Sequence, residues 1–195
     1  MLCLAESKKV VIVGIAGVGK TTLVSKIVEI LNNKQKSVSV HSFGTVMFEE
    51  AKKLGIENRD ELRKLSVNEQ KELQKKAAKK IASMDHDVVI IDTHAFISTK
   101  EGFYPGLPYH VLEELKPENF ITVSARPEEI YNRRMKDTTR DRDIISIENI
   151  KKELSVQDAM LSSCAVITGS PLKSILNSEG KVEEAANEVI NTIGL

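Results

Sequence analysis

Near its N-terminus the chain carries eight residues whose types and spacing suit the binding of a phosphate chain. They read Gly14-Ile15-Ala16-Gly17-Val18-Gly19-Lys20-Thr21 and match the phosphate-binding pattern G-x-x-x-x-G-K-[ST]. Glycines let backbone N–H groups approach phosphate oxygens closely, because no side chain obstructs the approach. Lys20 is expected to reach the β- and γ-phosphates of a nucleoside triphosphate, and the Thr21 hydroxyl to ligate Mg²⁺. The pattern therefore predicts nucleotide binding.

A carboxylate follows the most strand-like apolar run of the chain. Val88 to Ile91 is a run of four β-branched residues, typical of a central parallel strand, and Asp92 comes directly after it. The carboxyl ends of parallel strands face the crevice in which α/β proteins bind ligands. We therefore expect Asp92 to hold Mg²⁺ through water. The alternative role for such a residue is a helix cap or a turn.

A second group of cations lies late in the chain and consists of Arg133, Arg134, Arg140 and Arg142. Phosphoryl transfer needs positive charge around the migrating group, and arginine supplies it with bidentate hydrogen bonds. Thr138 and Thr139, between the two arginine pairs, predict a short mobile loop that closes over the phosphate site. The alternative is a solvated basic surface.

These residues need a scaffold, and the hydrophobic periodicity predicts one in which strands and helices alternate. Strands are predicted at residues 8–13, 38–43, 88–91, 120–123 and 172–176. Helices are predicted at residues 21–33, 46–54, 66–84, 144–167 and 182–193. A further helix is predicted to begin at residue 127 and to end within the basic stretch 133–142. This alternation predicts a three-layer α/β/α fold around a five-stranded parallel sheet.

Three local features refine the prediction. Ser66 and Glu69 form a capping-box pattern at the start of the third helix. Residues 164–168 fit either a helix or a strand, because short apolar runs are ambiguous. Residues 102–108 contain two glycines and two prolines, which predicts a rigid, shaped loop in the crevice.

Length and composition limit the classes of protein that remain. The 195 residues predict one domain, and 41% hydrophobic with 29% charged residues is ordinary for a globular chain. Twenty-eight basic against 28 acidic residues give no net charge, which opposes binding to nucleic acid or to an anionic membrane. The sequence shows neither a secretory signal nor an apolar run long enough to span a membrane. Cys3 and Cys164 have no metal-ligand spacing. We expect a cytoplasmic protein with free thiols.

Six stretches together resemble the archaeal-type adenylate kinases over essentially the whole chain. They are GIAGVGKTT at 14–22, FGTVM at 43–47, RDELRKLS at 59–66, IDTH at 91–94, GFYPGLP at 102–108 and DTTRDRD at 137–143. The first stretch is generic, whereas IDTH, PGLP and DTTRDRD in combination are much more specific. The resemblance implies a P-loop nucleoside triphosphate hydrolase fold that transfers the γ-phosphoryl of ATP to AMP with Mg²⁺, giving two ADP.

The resemblance also implies roles for individual residues. ATP would be bound by Gly14, Ile15, Ala16, Gly17, Val18, Gly19, Lys20, Thr21 and Thr22. AMP would be bound by Phe43, Gly44, Met47, Arg63, Thr93, Gly106 and Pro108. The catalytic set would be Lys20, Arg133, Arg140 and Arg142. Residues 43–84 would form an AMP-binding helical insertion and residues 136–143 a short lid. Related archaeal enzymes include homotrimers, which makes a homo-oligomer an expectation.

Three positions limit this transfer of roles. Arg134 lies where relatives vary, and Ser98 lies where relatives often carry a basic residue. His94 belongs to the IDTH stretch, but positioning and electrostatics carry phosphoryl transfer without an acid or base. We expect His94 to be structural or to support the site by a hydrogen bond.

Two alternatives stay open at the level of sequence. One is a kinase for a different nucleoside monophosphate, because the sequence does not display a base pocket. The other is a P-loop ATPase that acts as a switch or binding module. The chain lacks the [NT]-K-x-D motif that reads guanine in switch proteins, and the second arginine cluster favours a kinase.

Overall fold

The computed structural model describes residues 7–62, 65–99, 101–136 and 146–195. The strands there are β1 (Lys8–Val13), β2 (Val38–Ser42), β3 (Val88–Thr93), β4 (Phe96–Thr99), β5 (Gly102–Pro105), β6 (Asn119–Ser124) and β7 (Leu172–Leu176). The helices are α1 (Lys20–Asn33), α2 (Phe43–Lys52), α3 (Arg59–Leu62), α4 (Val67–Ala82), α5 (Tyr109–Leu115), α6 (Pro127–Lys136), α7 (Ile147–Thr168) and α8 (Val182–Thr192).

Five strands form one sheet in the order β2-β3-β1-β6-β7, and every pairing in it is parallel. Successive side chains of a strand point to opposite faces of the sheet, so β1 contributes side chains to two hydrophobic cores. Val10 and Ile12 pack under α1 and α8, whereas Val11 and Val13 pack under α2, α4 and α5. All four are essentially inaccessible to water, as expected for a central parallel strand. The predicted three-layer α/β/α fold with a five-stranded parallel sheet is confirmed.

Helix boundaries follow local chemistry closely. Ser66 Oγ accepts from the N–H of Glu69 at 3.3 Å, and the Glu69 carboxylate accepts from the N–H of Ser66 at 2.9 Å. This is the predicted capping box. Helix α7 continues to Thr168 and ends at Gly169, whose φ of 71° suits glycine. Residues 164–168 are therefore helical, and the alternative of a strand is wrong.

Elements α3, β4 and α5 are not predicted from the sequence, and two predicted segments differ in the structure. Phe43 starts α2 instead of ending β2, because the pairing with β3 stops at Ser42 opposite Asp92. Residues 102–105 form strand β5, which pairs with β4 in an antiparallel hairpin. The predicted loop is thus wrong for the first half of the segment 102–108. The hairpin is stabilised by an edge-to-face contact of Phe96 with Phe103, whose ring centroids lie 4.9 Å apart.

The described part of the chain has no helix both long and apolar enough to cross a membrane. Of the two cysteines, Cys164 is a buried free thiol, and Cys3 lies outside the described residues. The second half of the basic stretch, with Arg140 and Arg142, also lies outside them.

Candidate active site

The phosphate-loop sequence connects the end of β1 to the start of α1, at the carboxyl edge of the sheet. Gly17 and Gly19 have φ angles of 89° and 80°, a left-handed conformation that favours glycine. At Gly14 a Cβ would lie 2.7 Å from Val18 Cγ2, too close to be accommodated without movement. Gly19 is the N-cap of α1 and provides no side-chain cap. The first N–H groups of a 14-residue helix and its positive dipole end are therefore available to an anion.

Lys20 and Asp92 meet across this edge of the sheet. The Lys20 ammonium forms an ion pair with Asp92 Oδ1 and donates to the carbonyl of Thr93 at 2.8 Å. The Lys20 side chain is 11% exposed and that of Asp92 28%, so the pair is reachable from the crevice. Thr21 and Thr22, in the first turn of α1, are exposed. One cation, one carboxylate and two hydroxyls thus lie beside the uncapped helix start.

Side chains from α6 and from the end of β7 contact the loop backbone. Arg134 Nε donates to the carbonyl of Ala16 at 2.7 Å, and Arg133 Nη1 donates to that of Gly17 at 3.3 Å. Asn177 Nδ2 donates to the carbonyl of Val18 at 2.9 Å. Arg134 also pairs with Glu153 of α7 at 2.6 Å. The cation cluster seen in the sequence is therefore split: Arg134 is buried on backbone and carboxylate partners, whereas Arg133 is half-buried.

Sequence reasoning missed Asn177 and Glu153. An asparagine after a strand is typical of a turn, and nothing local distinguishes this one. Its partner Val18 lies 159 positions away in the chain. The parallel pairing of β6 with both β1 and β7 brings the end of β7 near the end of β1, and this pairing is not visible in the sequence.

The residues assigned to the acceptor lie along the same edge of the sheet. Ser42 pairs with Asp92, so α2 begins beside the end of β3. Gly106 donates its N–H to the carbonyl of Ala95 at 2.8 Å, and a Cβ there would overlap the carbonyl oxygen of His94. His94 Nδ1 lies 3.3 Å from the carbonyl oxygen of Gly14. This hydrogen bond agrees with the supporting role expected for His94.

The residues expected to bind AMP differ in their burial and in the accessibility of their backbone. Phe43 is 5% exposed and belongs to the core under α2, and Met47 packs partly buried against the same core. A Cβ at Gly44 would meet no atom within 4 Å, so the backbone is open there. Thr93 is buried, and Pro108 is the N-cap of α5. Arg63 lies outside the described residues.

Groups with displaced pKa values lie near α4 and α7. Burial lowers the pKa of His41 and of His110 and raises the pKa of the Cys164 thiol. Among the described residues no group of three or more His, Cys, Asp or Glu side chains is placed to hold a metal ion.

Known proteins similar to this chain fall into two sets. The family model described as "AAA domain" matches residues 13–151. Adenylate kinase of Methanocaldococcus jannaschii is 44% identical over 190 residues, covering 96% of this chain and 99% of that protein. Adenylate kinase of Thermoplasma acidophilum is 42% identical over 186 residues, covering 95% and 98%. The solved structure of shikimate kinase from Acinetobacter baumannii in complex with shikimate superposes with a TM-score of 0.59 at 15% identity, covering 97% and 94%. This last likeness concerns the fold alone.

Proposed function

We propose that this chain, which belongs to the adenylate kinase family, catalyses the reversible transfer of the γ-phosphoryl group of ATP to AMP. The observation that carries the proposal is the 44% identity to an adenylate kinase along 96% of the chain. The phosphate-loop geometry supports it, because the uncapped start of α1 and Lys20 lie together at the carboxyl edge of the sheet. ATP, AMP and ADP are the expected small-molecule partners, and the cytoplasm is the compartment in which they occur together.

On the donor side, the loop N–H groups and Lys20 bind the β- and γ-phosphates of ATP. Lys20 is the first residue of α1, and its ammonium is held by Asp92 and the Thr93 carbonyl. When the phosphates arrive, the ammonium exchanges the carboxylate for phosphate oxygens. Its charge then lies where negative charge accumulates as the β–γ bridging bond breaks.

The site also fits Mg²⁺, which favours oxygen ligands and keeps several of its waters. Thr21 offers a hydroxyl in the first turn of α1, and Asp92 offers a carboxylate that already reaches the Lys20 ammonium. We propose that Thr21 ligates the ion directly and that Asp92 holds one of its waters. When bound, Mg²⁺ neutralises charge on the β- and γ-phosphates. A site with few protein ligands is expected where substrate phosphates complete the coordination.

On the acceptor side, we assign AMP to the crevice between α2 and the loop that follows β5. Phe43, Gly44, Met47, Thr93, Gly106 and Pro108 are the proposed lining, with Arg63 as the phosphate contact. An oxygen of the AMP phosphate bonds to the γ-phosphorus, and the bond to the β–γ bridging oxygen breaks. Two ADP molecules result.

Three further arginines complete the proposed catalytic set with Lys20: Arg133, Arg140 and Arg142. Arg133 is bonded to the carbonyls of Gly17 and Asn177 at 3.3 Å and 3.2 Å, beside the expected triphosphate. Arg140 and Arg142 lie in the proposed lid at 136–143, and residues 43–84 form the proposed acceptor-side insertion of one kinase domain. A homotrimer is the assembly that the resemblance suggests.

The decisive experiment measures phosphoryl transfer from ATP to AMP, CMP, UMP and GMP in a coupled assay. We expect ADP formation with AMP to exceed that with the other acceptors, and we expect little ATP hydrolysis without an acceptor. Preference for another monophosphate would change the acceptor but keep the reaction class. Slow ATP hydrolysis that no acceptor accelerates would overturn the kinase assignment and favour an ATPase switch.

A further inference from the structure

Three carbonyl oxygens of the phosphate loop, those of Ala16, Val18 and Gly19, are contacted by two buried side-chain donors. Arg134 Nε donates to Ala16 O at 2.7 Å. Asn177 Nδ2 donates to Val18 O at 2.9 Å and contacts Gly19 O at 3.4 Å. Arg134 is 8% and Asn177 4% exposed, so water does not compete freely for these carbonyls. Such bonds between a buried donor and acceptor are costly to break.

Peptide geometry converts fixed carbonyls into fixed N–H groups. The peptide bonds of the described residues are all trans, and in a planar trans unit the C=O and the following N–H point in opposite directions. The carbonyls of Ala16, Val18 and Gly19 share peptide units with the N–H groups of Gly17, Gly19 and Lys20. Holding the carbonyls on the protein side therefore directs these N–H groups toward the side on which a phosphate chain is bound.

The same two side chains also pack against the two left-handed glycines. A Cβ at Gly17 would lie 3.0 Å from Arg134 Cγ, and a Cβ at Gly19 would lie 2.6 Å from Asn177 Nδ2. A loop with three glycines has more backbone freedom to lose than a loop of the same length without glycine. Side chains that touch the glycines and bind the adjoining carbonyls remove that freedom before the ligand arrives, which favours tight binding.

We propose that Arg134 and Asn177 are positioning residues that set the phosphate-binding N–H groups of the loop. The proposal deepens the proposed function and rests on it, since it requires the ATP phosphates to bind at this loop. Neither side chain has to touch the nucleotide. Each acts through the peptide planes that it holds.

The neighbouring Arg133 differs from Arg134 in ways that fit this division. Arg133 is half-buried, and its bonds to backbone carbonyls are 3.3 Å and 3.2 Å long. Arg134 has a shorter bond to Ala16 O and a charged partner, Glu153, at 2.6 Å. A buried guanidinium with such a partner is costly to move. Arg133 is therefore free to turn toward substrate, whereas Arg134 stays on the loop backbone.

The first test replaces Asn177 with leucine, which has a similar shape and no donor. We expect the dissociation constant of MgATP, and of inorganic tripolyphosphate with Mg²⁺, to rise about tenfold or more by calorimetry, because a misdirected loop N–H loses its charge-assisted bond to phosphate. AMP affinity should be unchanged. The matched control is Asn187→Leu, at an exposed asparagine of α8 that bonds only within its own helix.

The second test is Arg134→Lys, which keeps the charge but cannot contact Ala16 O and Glu153 with the rigid fork of arginine. We again expect about tenfold weaker tripolyphosphate binding, against an unchanged control, Arg126→Lys, at an exposed arginine. Glu153→Gln should weaken binding less, about threefold, because it acts only through Arg134. Its effect should vanish in the Arg134→Lys background.

The outcomes separate loop positioning by Arg134 and Asn177 from a general effect on stability. Asn177→Leu and Arg134→Lys proteins that lose urea resistance but bind tripolyphosphate within twofold of wild type, about 0.4 kcal/mol, would overturn the proposal. If neither variant folds, Glu153→Gln decides, since its side chain is 32% exposed: unchanged tripolyphosphate affinity in that protein overturns the proposal. Failure of the wild-type protein to phosphorylate AMP would instead overturn the proposed function. The role of Arg134 and Asn177 in positioning the loop would still be measurable by tripolyphosphate binding.

Discussion

The two sides of the crevice are built in different ways. On the proposed donor side, the phosphate loop is fixed by buried Arg134 of α6 and by buried Asn177 at the end of β7, and Arg134 is held in turn by Glu153 of α7. On the proposed acceptor side, α2 and α4 are joined at the surface by ion pairs of Lys80 with Glu49 at 2.9 Å and with Glu50 at 3.6 Å. Exposed pairs of this kind contribute little to stability.

The apolar contacts show the same contrast. Helix α4 reaches the core with Leu73, Ala77, Ala78 and Ile81, a face that includes two of the smallest apolar side chains. Leu54 and Val67, between and at the start of the acceptor-side helices, are 60% and 81% exposed. Elements with few buried apolar contacts open at low free-energy cost. With the proposed sites, this contrast predicts a donor side preorganised for a phosphate chain and an acceptor side that rearranges around a second nucleotide.

Removal of the Lys20 side chain should have the largest effect on turnover. Lys20→Ala should fold, because Lys20 lies at the start of α1 and only its ion pair with Asp92 and its bond to the Thr93 carbonyl are removed. Turnover should fall about 100-fold or more, since charge between the β- and γ-phosphates is no longer neutralised. Lys34→Ala, at an exposed position at the end of α1, is the matched control. A folded Lys20→Ala enzyme within about threefold of wild type would show that this loop is not the donor site.

Substitution of Arg140 or Arg142, in the proposed lid, should have the next largest effect on turnover. Arg140→Ala or Arg142→Ala should lower kcat far more than it weakens ATP binding, because the contact matters mainly in the transition state. Two adenosines joined through five phosphates should bind the wild-type protein tightly and these variants poorly. The mimic should also protect amides 136–143 from hydrogen exchange, whereas ATP alone should protect mainly residues 14–21. Equal protection of 136–143 with and without the mimic would leave these arginines as surface charge.

Asp92 tests whether the donor side also holds the metal. Asp92→Asn should raise the Mg²⁺ concentration required for half-maximal rate, because a neutral amide orients metal-bound water less well than a carboxylate. A titration of rate against Mg²⁺ at saturating nucleotide measures this directly. The same substitution removes the ion pair with Lys20, so tripolyphosphate affinity without metal should not fall. An unchanged Mg²⁺ dependence would assign Asp92 to a structural role.

The contrast between the two sides also explains what the sequence could predict. The phosphate loop is a contiguous pattern in a predictable strand-to-helix context, and the Ser66 capping box is equally local. Asn177 and Glu153 act over 159 and 19 positions, and no local pattern marks either residue. The β4–β5 hairpin was obscured by Pro105, which ends its strand opposite Phe96, and by glycines typical of turns. Phe43 has strand propensity, but tertiary packing in the α2 core decides its conformation.

The smallest predicted effect concerns acid and is confined to the acceptor side. Burial is the main cause that lowers the pKa of His41, and nearby His86 and Lys80 add to it against an opposing effect of Glu49. Burial likewise lowers the pKa of His110, helped by Lys71 and Lys75 and opposed by Glu72. His110 Nε2 lies 2.7 Å from Gln74 Oε1 of α4. Burial beside these helices therefore disfavours the charged form of both histidines.

The sign of the pH effect follows from these lowered pKa values. Below a pH of about 6.5 the unfolded chain binds protons that the folded chain resists, so the free energy of unfolding falls as the pH falls. The stabilising contribution of the two neutral histidines is fully present above a pH of about 6.5. The carboxylates with lowered pKa values, such as Glu69 and Asp87, act only near and below a pH of about 4.5, outside this window. Urea midpoints between pH of about 5 and 8 should therefore fall with acid, and His41→Gln or His110→Gln should flatten the slope. Hydrogen exchange should show the acid effect in α4 before it reaches the amides of α1. Equal slopes for the wild type and both variants, or simultaneous loosening of α1 and α4, would contradict the difference in stability between the two sides of the crevice.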